Sequence, residues 1–208
     1  MNNDEWKYWI KNWWNWYYSI EEEYHPSYVY GRRENDVHQG RTPHGIWDAG
    51  TPPPEPKVWF LAGHYGSEEE TRTIMKEGFT KILAPAYNMG GSKEEFPSLD
   101  PDEIQEIVER DVDNVTDKLA ELDGDDITAD LKRKKWDFTN WFPVSHLPEE
   151  NVLALDVENI SMISDGWWLL LEEDELTIGD HILRLKGVAP NYRAETKYNI
   201  TVRGPKGP

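Results

Sequence analysis

Five consecutive apolar residues, Trp167-Trp168-Leu169-Leu170-Leu171, constrain this chain more than any other feature. A run of that length fits a strand buried on both faces. Asp165-Gly166 ahead of it reads as a turn. Behind it lie the acidic stretch Glu172 to Glu175 and a break at Gly179-Asp180. Ile182, Leu183 and Leu185 then come interleaved with Arg184 and Lys186, one face apolar and the other charged. The reading is a hairpin, 164–187, at the heart of a β-sandwich. Trp167 and Trp168 adjoin, so in a strand they leave on opposite faces. One is expected between two sheets and the other beneath a covering helix.

The opening predicts that helix. Trp6, Trp9, Ile10, Trp13, Trp16, Tyr17 and Ile20 recur at three- and four-residue steps. Asp4 and Glu5 fall in its first turn, where the helix dipole favours acids. Lys7, Lys11, Asn12 and Asn15 take the other face. Such an aromatic stripe docks on a sheet.

Pro26, Gly31, Gly40, Pro43, Gly45, Gly50 and Pro52-Pro53-Pro54 make 21–57 a long irregular loop. Loops of this length are uncommon and often functional. Beyond it the expected strands are 58–63, 71–75, 81–87, 134–142, 152–157, 160–163 and 195–203, with 88–97 as loop and Gly78 as a turn. A second helix starts at Asp100-Pro101, with Glu103 completing a capping box. Its apolar residues are Ile104, Ile107, Val108 and Val112. Short strands separated by turn residues predict a mainly β chain with helices (α+β). The expected fold is a β-sandwich, Ig-like or jelly-roll-like, with an aromatic N-terminal helix and one central helix packed on it. It is read as one domain over 1–208: helix 1–20, loop 21–57, sandwich core 58–203.

The net charge of −18, from 40 acidic and 22 basic side chains, opposes nucleic-acid binding. No apolar run approaches a membrane span. With no cysteine there is neither a disulfide framework nor a thiolate metal site. Eleven tryptophans serve cores, interfaces and sugar-stacking platforms alike.

Four of the six histidines, His25, His38, His44 and His64, lie between residues 25 and 64. Drawn together with Asp36 or Asp48, they could hold zinc with an open position. That makes His64, His44 and His38 the catalytic candidates. His64 and Tyr65, just past a buried strand, and Trp47 are the ligand-binding candidates. Asp111, Asp113, Asp117, Asp123, Asp125 and Asp126 form a carboxylate-rich span of the kind calcium takes. Asp123, Asp125 and Asp126 are the metal candidates, without the EF-hand order of ligands.

Four segments carry a resemblance: WIKNWWNW at Trp9–Trp16, VWFLAG at Val58–Gly63, SDGWW at Ser164–Trp168, and the closing GDHILRL…YNITV. Together they resemble a family of small, mostly secreted bacterial and archaeal proteins. The resemblance implies an exported β-sandwich and no chemistry. It also implies a strand and an Asp-Gly turn after the central helix, which places that helix's end near Asn114. Two departures are the lack of cysteine and of a leader, and residues 24–55 read as an enlarged loop.

The expected function is therefore a non-catalytic, exported or surface-associated binding or structural protein. Its partner would be a glycan, a protein or a second copy of itself. A hydrolase, metal-dependent through the 25–64 loop, is the alternative; a self-assembling shell or filament subunit is the third reading. The setting is extracellular or cell-surface if a leader was trimmed, and otherwise cytoplasmic.

Overall fold

Asn2 starts the first helix. Its side chain accepts from the N–H groups of Asp4 and Glu5, and Glu5 accepts from the N–H of Asn2 in return. This capping box satisfies donors that every helix N-terminus leaves open. The structure is a computed structural model that describes residues 2–22, 25, 27, 58–63, 70–77, 81–136 and 141–204, with 70–77 as backbone alone.

Helix α1 (Asn3–Tyr18) buries more than the predicted stripe. Trp13 to Tyr18 are all buried, Trp14, Asn15 and Tyr18 among them. Asn15, expected on the polar face, instead binds strand β7 (Phe142–Ser145). Its amide donates to Pro143 O and accepts from Ser145 N–H.

Among the described residues ten strands form two sheets. The first runs β1 (Val58–Phe60), β3 (Lys81–Ser92), β8 (Asn159–Leu171), β6 (Lys132–Lys135), with β7 also on β8. The second runs β2 (Glu70–Glu77), β10 (Tyr192–Arg203), β9 (Gly179–Ala189), β4 (Asp117–Leu122), β5 (Asp125–Asp126). β1 lies parallel to β3, and β2 to β10. All other pairs are antiparallel. The described residues are thus mainly β with two α-helices.

β8 is the central strand of the first sheet, and its alternation sorts the core. Ile160, Met162 and Trp168 join the α1 cluster with Phe60, Leu83 and Val144. Leu169 and Leu171 face the other way. They pack with Ile82 and Ala84 from the first sheet and with Leu183, Leu185, Tyr198 and Ile200 from the second. Ile163 meets Ile104 and Val108 of helix α2 (Pro101–Asp113). α2 keeps its predicted capping box, and Asn114 is its C-cap.

Several local expectations are corrected. β8 and β9 do not pair; they lie in different sheets. The acidic 172–178 segment crosses between sheets and does not close a hairpin. Asp165-Gly166 is not a turn but the interior of β8. Gly166 sits there because a Cβ would come within 2.8 Å of Tyr87 O on the neighbouring strand. Residues 88–92, expected as loop, continue β3. The 134–142 strand is two short strands, β6 ending at Lys135 and β7 starting at Phe142. Residues 152–157 form no strand. Asn151 gathers that segment through bonds to Pro148 O, Leu155 O, Leu153 N–H and Leu155 N–H.

Candidate functional site

His38, His44, Trp47, His64 and Tyr65 lie outside the described residues, as do Asp36, Asp48 and Gly78. His25 is described, fully buried and committed to structure. Its Nε2 lies 3.0 Å from the Tyr17 carbonyl, and its Nδ1 accepts from Ser27 N–H at 3.2 Å. A carbonyl can only accept and an N–H can only donate, so the ring's proton sits on Nε2. His25 therefore pins the chain that leaves α1.

The predicted calcium carboxylates carry protein donors. Asp111 accepts from Tyr87 OH, Asp113 from Arg133, and Asp126 from Thr128 N–H. Asp117 pairs with Lys186. Asp123 accepts from Ile182 N–H through one oxygen and bonds His181 Nδ1 at 2.7 Å through the other. Asp125 is exposed in β5. Among the described residues no three His, Asp or Glu side chains converge on a metal-sized site. The Asp-Gly turn itself is as expected, with Asp123 at φ 53° and Gly124 at φ 91°.

That turn carries a titration. His181 Nε2 also lies 2.9 Å from Thr177 O, so both ring nitrogens face acceptors. Only imidazolium donates to both. Burial works to lower the His181 pKa, but the bonds to Asp123 and Thr177 outweigh it and the pKa rises above its ordinary 6.5. Burial likewise works to raise Asp123, and the His181 and Ile182 bonds hold it below its ordinary value. The sign follows from linkage. The His181 contribution is complete below about pH 6.5, the ordinary value, and is lost as pH rises through the raised folded pKa. The Asp123 contribution is present above its ordinary value and is lost as pH falls through the lowered one. In denaturant unfolding between pH 5 and pH 9, the wild type should thus lose stability relative to His181→Gln as pH rises. Parallel profiles would show that the bond does not select the cation.

The described cleft with the most convergent chemistry lies between α1 and the edge of β3. β1 covers that edge only as far as Leu83. The chain then leaves the sheet, and its next three carbonyls are taken by side chains from three places. Leu61 O accepts from Trp13 Nε1 at 2.8 Å, Ala62 O from Tyr198 OH at 2.7 Å, and Gly63 O from Ser27 Oγ at 2.7 Å. Opposite, β3 shifts register between Pro85 and Tyr87. Proline has no N–H for the ladder, so a bulge there is natural.

The departure of β1 and the bulge of β3 leave a cleft of about 400 Å³, a figure that includes the open solvent at its mouth. Trp13, Trp14, Tyr17, Tyr87 and Tyr192 supply its aromatic walls, with Asn88 and Ser27 as polar groups. Asn88 Nδ2 is a buried donor without an acceptor among the described residues. Leaving such a donor unpaired costs about 1–3 kcal/mol, which a ligand oxygen in the cleft would recover. Gly63, at the end of the VWFLAG strand, lines the cleft; His64 and Tyr65, the residues named there from sequence, lie outside the described residues. Asn88 was missed, because the sequence places it in a loop and nothing local marks its amide.

Trp167 and Trp168 separate as expected. Trp168 is fully buried under α1, 5.2 Å edge-on from Trp13. Trp167 packs on the other face with the inter-sheet residues and is half-buried, with Lys118 Nζ 4.1 Å above its ring.

A second polar centre sits on β8. Asp165 is fully buried, and Arg133 reaches it through Nε and Nη2, the latter at 2.5 Å. Burial raises the Asp165 carboxyl above its ordinary value, against the pull of Arg133 and of Gly166 N–H. This pair joins β6 to β8.

No helix among the described residues is long and apolar enough to cross a membrane. Neither a family model, nor a curated protein, nor a solved structure matches this chain.

Proposed function

We propose that this is a non-catalytic binding protein, exported or surface-associated, and that the cleft between α1 and β3 is where its ligand lodges. The two sheets with their shared core are read as a β-sandwich of Ig-like or jelly-roll-like kind, and α1 as the element that gives it a cleft. The setting rests on the motif resemblance. The observation that carries the function is Asn88: a buried, unpaired amide donor in the wall of an aromatic-lined cleft. Ligand sites are mostly apolar with a few placed polar groups, and aromatic walls with an amide donor suit a glycan.

A glycan panel read by intrinsic tryptophan fluorescence tests this, because Trp13 and Trp14 form the wall. Asn88→Ala should weaken binding about tenfold, as loss of a ligand hydrogen bond does. Its stability should be unchanged or slightly raised, since the substitution removes an orphan donor. Weaker binding accompanied by a matching loss of stability would assign Asn88 to structure.

A further inference from the structure

The strand Lys132-Arg133-Lys134-Lys135 is an edge strand of four cations in a chain of net charge −18. Its side chains alternate between two faces, and the faces are treated differently. Towards α2, each cation has an acid: Arg133 holds Asp165 and Asp113, and Lys135 pairs with Glu109. Towards α1 there is none. Lys134 Nζ stands 4.9 Å above the Trp6 ring, and Lys7 Nζ, from the helix, stands 5.7 Å above the Trp136 ring. Neither ammonium has an ion-pair partner among the described residues.

Both lysines line one small cleft. Trp6, Ile10 and Trp136 wall it, and Ser164 lines it as a buried hydroxyl. The cleft holds about 240 Å³ counted to its open mouth, and its inner end admits one water-sized group, so one oxygen of an oxyanion would enter and the rest would stay at the mouth. Ser164 Oγ accepts from Trp14 Nε1, which fixes its position. Burial lowers the Lys134 pKa, and Lys132 lowers it further. An ammonium in that position gains from an anion placed beside it.

We propose that this cleft, between Lys7 and Lys134, binds a single oxyanion group such as phosphate or sulfate. Two ammonium donors and a hydroxyl match a tetrahedral oxyanion, and charge-assisted bonds of this kind are the strong ones. A single charged group suits a chain of net charge −18 better than a polyanion does. The site is separate from the α1–β3 cleft and does not depend on a ligand there.

The bland account is that edge lysines only prevent strand-to-strand association. Titration of the full chain with inorganic phosphate, followed at the tryptophan indole N–H resonances, separates the two. Saturable shifts are expected at Trp6 and Trp136 in the millimolar range, about the affinity a few charged contacts give. A sulfated monosaccharide in a parallel titration reports the carrier: equal or tighter binding supports an oxyanion borne by a sugar, and phosphate alone supports a free ion. Lys7→Met with Lys134→Met keeps the stems on the rings and should weaken binding about tenfold or more. Lys134→Arg alone should bind within about twofold of wild type, which keeps the test valid if the double variant misfolds. No saturation at either indole, or equal binding by the double variant, overturns the proposal. So does a double variant that self-associates when the wild type shows no phosphate response.

Discussion

Alanine at Trp13 is expected to lower stability by about 3–5 kcal/mol, a fall in melting temperature on the order of 10 °C for a chain of this size. Trp13 is 1% exposed. It stacks on Tyr17, meets Trp14 and Trp168 edge-on, and donates to Leu61 O. Its removal opens a cavity between α1 and β8 and strands a carbonyl at the end of β1. Trp13→Phe separates part of those losses: a smaller ring stays and the bond goes, so a stability between those of wild type and the alanine variant is expected. Calorimetric unfolding of the two variants checks the order. Equal melting temperatures for wild type and alanine variant would mean that α1 is not part of the core.

Arg133→Met should cost about 3 kcal/mol, the low end for breaking a buried pair, because Arg133 is itself partly exposed. The loss comes from Asp165, left charged with no solvent access. Replacing both, Arg133→Met with Asp165→Asn, should therefore be less damaging than the single change. The pH dependence has a definite sign. Asp165 is already raised by burial, and loss of the arginine raises it further. A raised folded pKa favours the folded state while the group is protonated. The single variant's deficit should thus be smallest at low pH and grow as pH rises through that pKa. Urea unfolding at acid and neutral pH measures it. A deficit independent of pH would show that Asp165 does not carry the loss.

The parts of this fold set by local chemistry were legible in the sequence. The second helix announces itself by its capping box, Asp100 with Glu103, and the first by the three- and four-residue spacing of its aromatic residues, whereas its Asn2–Glu5 box was not read. Asp123-Gly124 marks its turn, and the alternation of Tyr198, Ile200 and Val202 marks β10. The misreadings lie where a distant residue decides. Gly90, Gly91 and Gly166 look like turn residues yet sit in strands. Gly90 makes room for Trp14, Gly91 for Ile104 and Val108 of α2, and Gly166 for the β3 backbone. Asp165 is tolerated inside β8 only because β6 brings Arg133 to it. Nothing between Leu171 and Gly179 tells a hairpin from a crossing between sheets; the partners of β9 are β4 and β10, and pairing with them settles it.

The candidate sites follow the same division. The end of the VWFLAG strand could be picked out as a place where chain leaves a sheet. Asn88 and the Lys7–Lys134 cleft could not, since each joins segments far apart in sequence. Five of the six aspartates that invited calcium in sequence bond Tyr87, Arg133, Lys186, His181 and Thr128, partners that the sequence alone does not reveal.

The central claim is that the α1–β3 cleft is the ligand site and that Asn88 is its polar anchor. It is tested most directly by one set of binding isotherms. The best glycan from the panel is titrated into wild type, Asn88→Ala, and Lys7→Met with Lys134→Met. Wild type and the lysine variant should bind alike, and Asn88→Ala about tenfold more weakly at undiminished melting temperature. Equal binding by Asn88→Ala, or a panel in which no glycan binds the wild type, would contradict it.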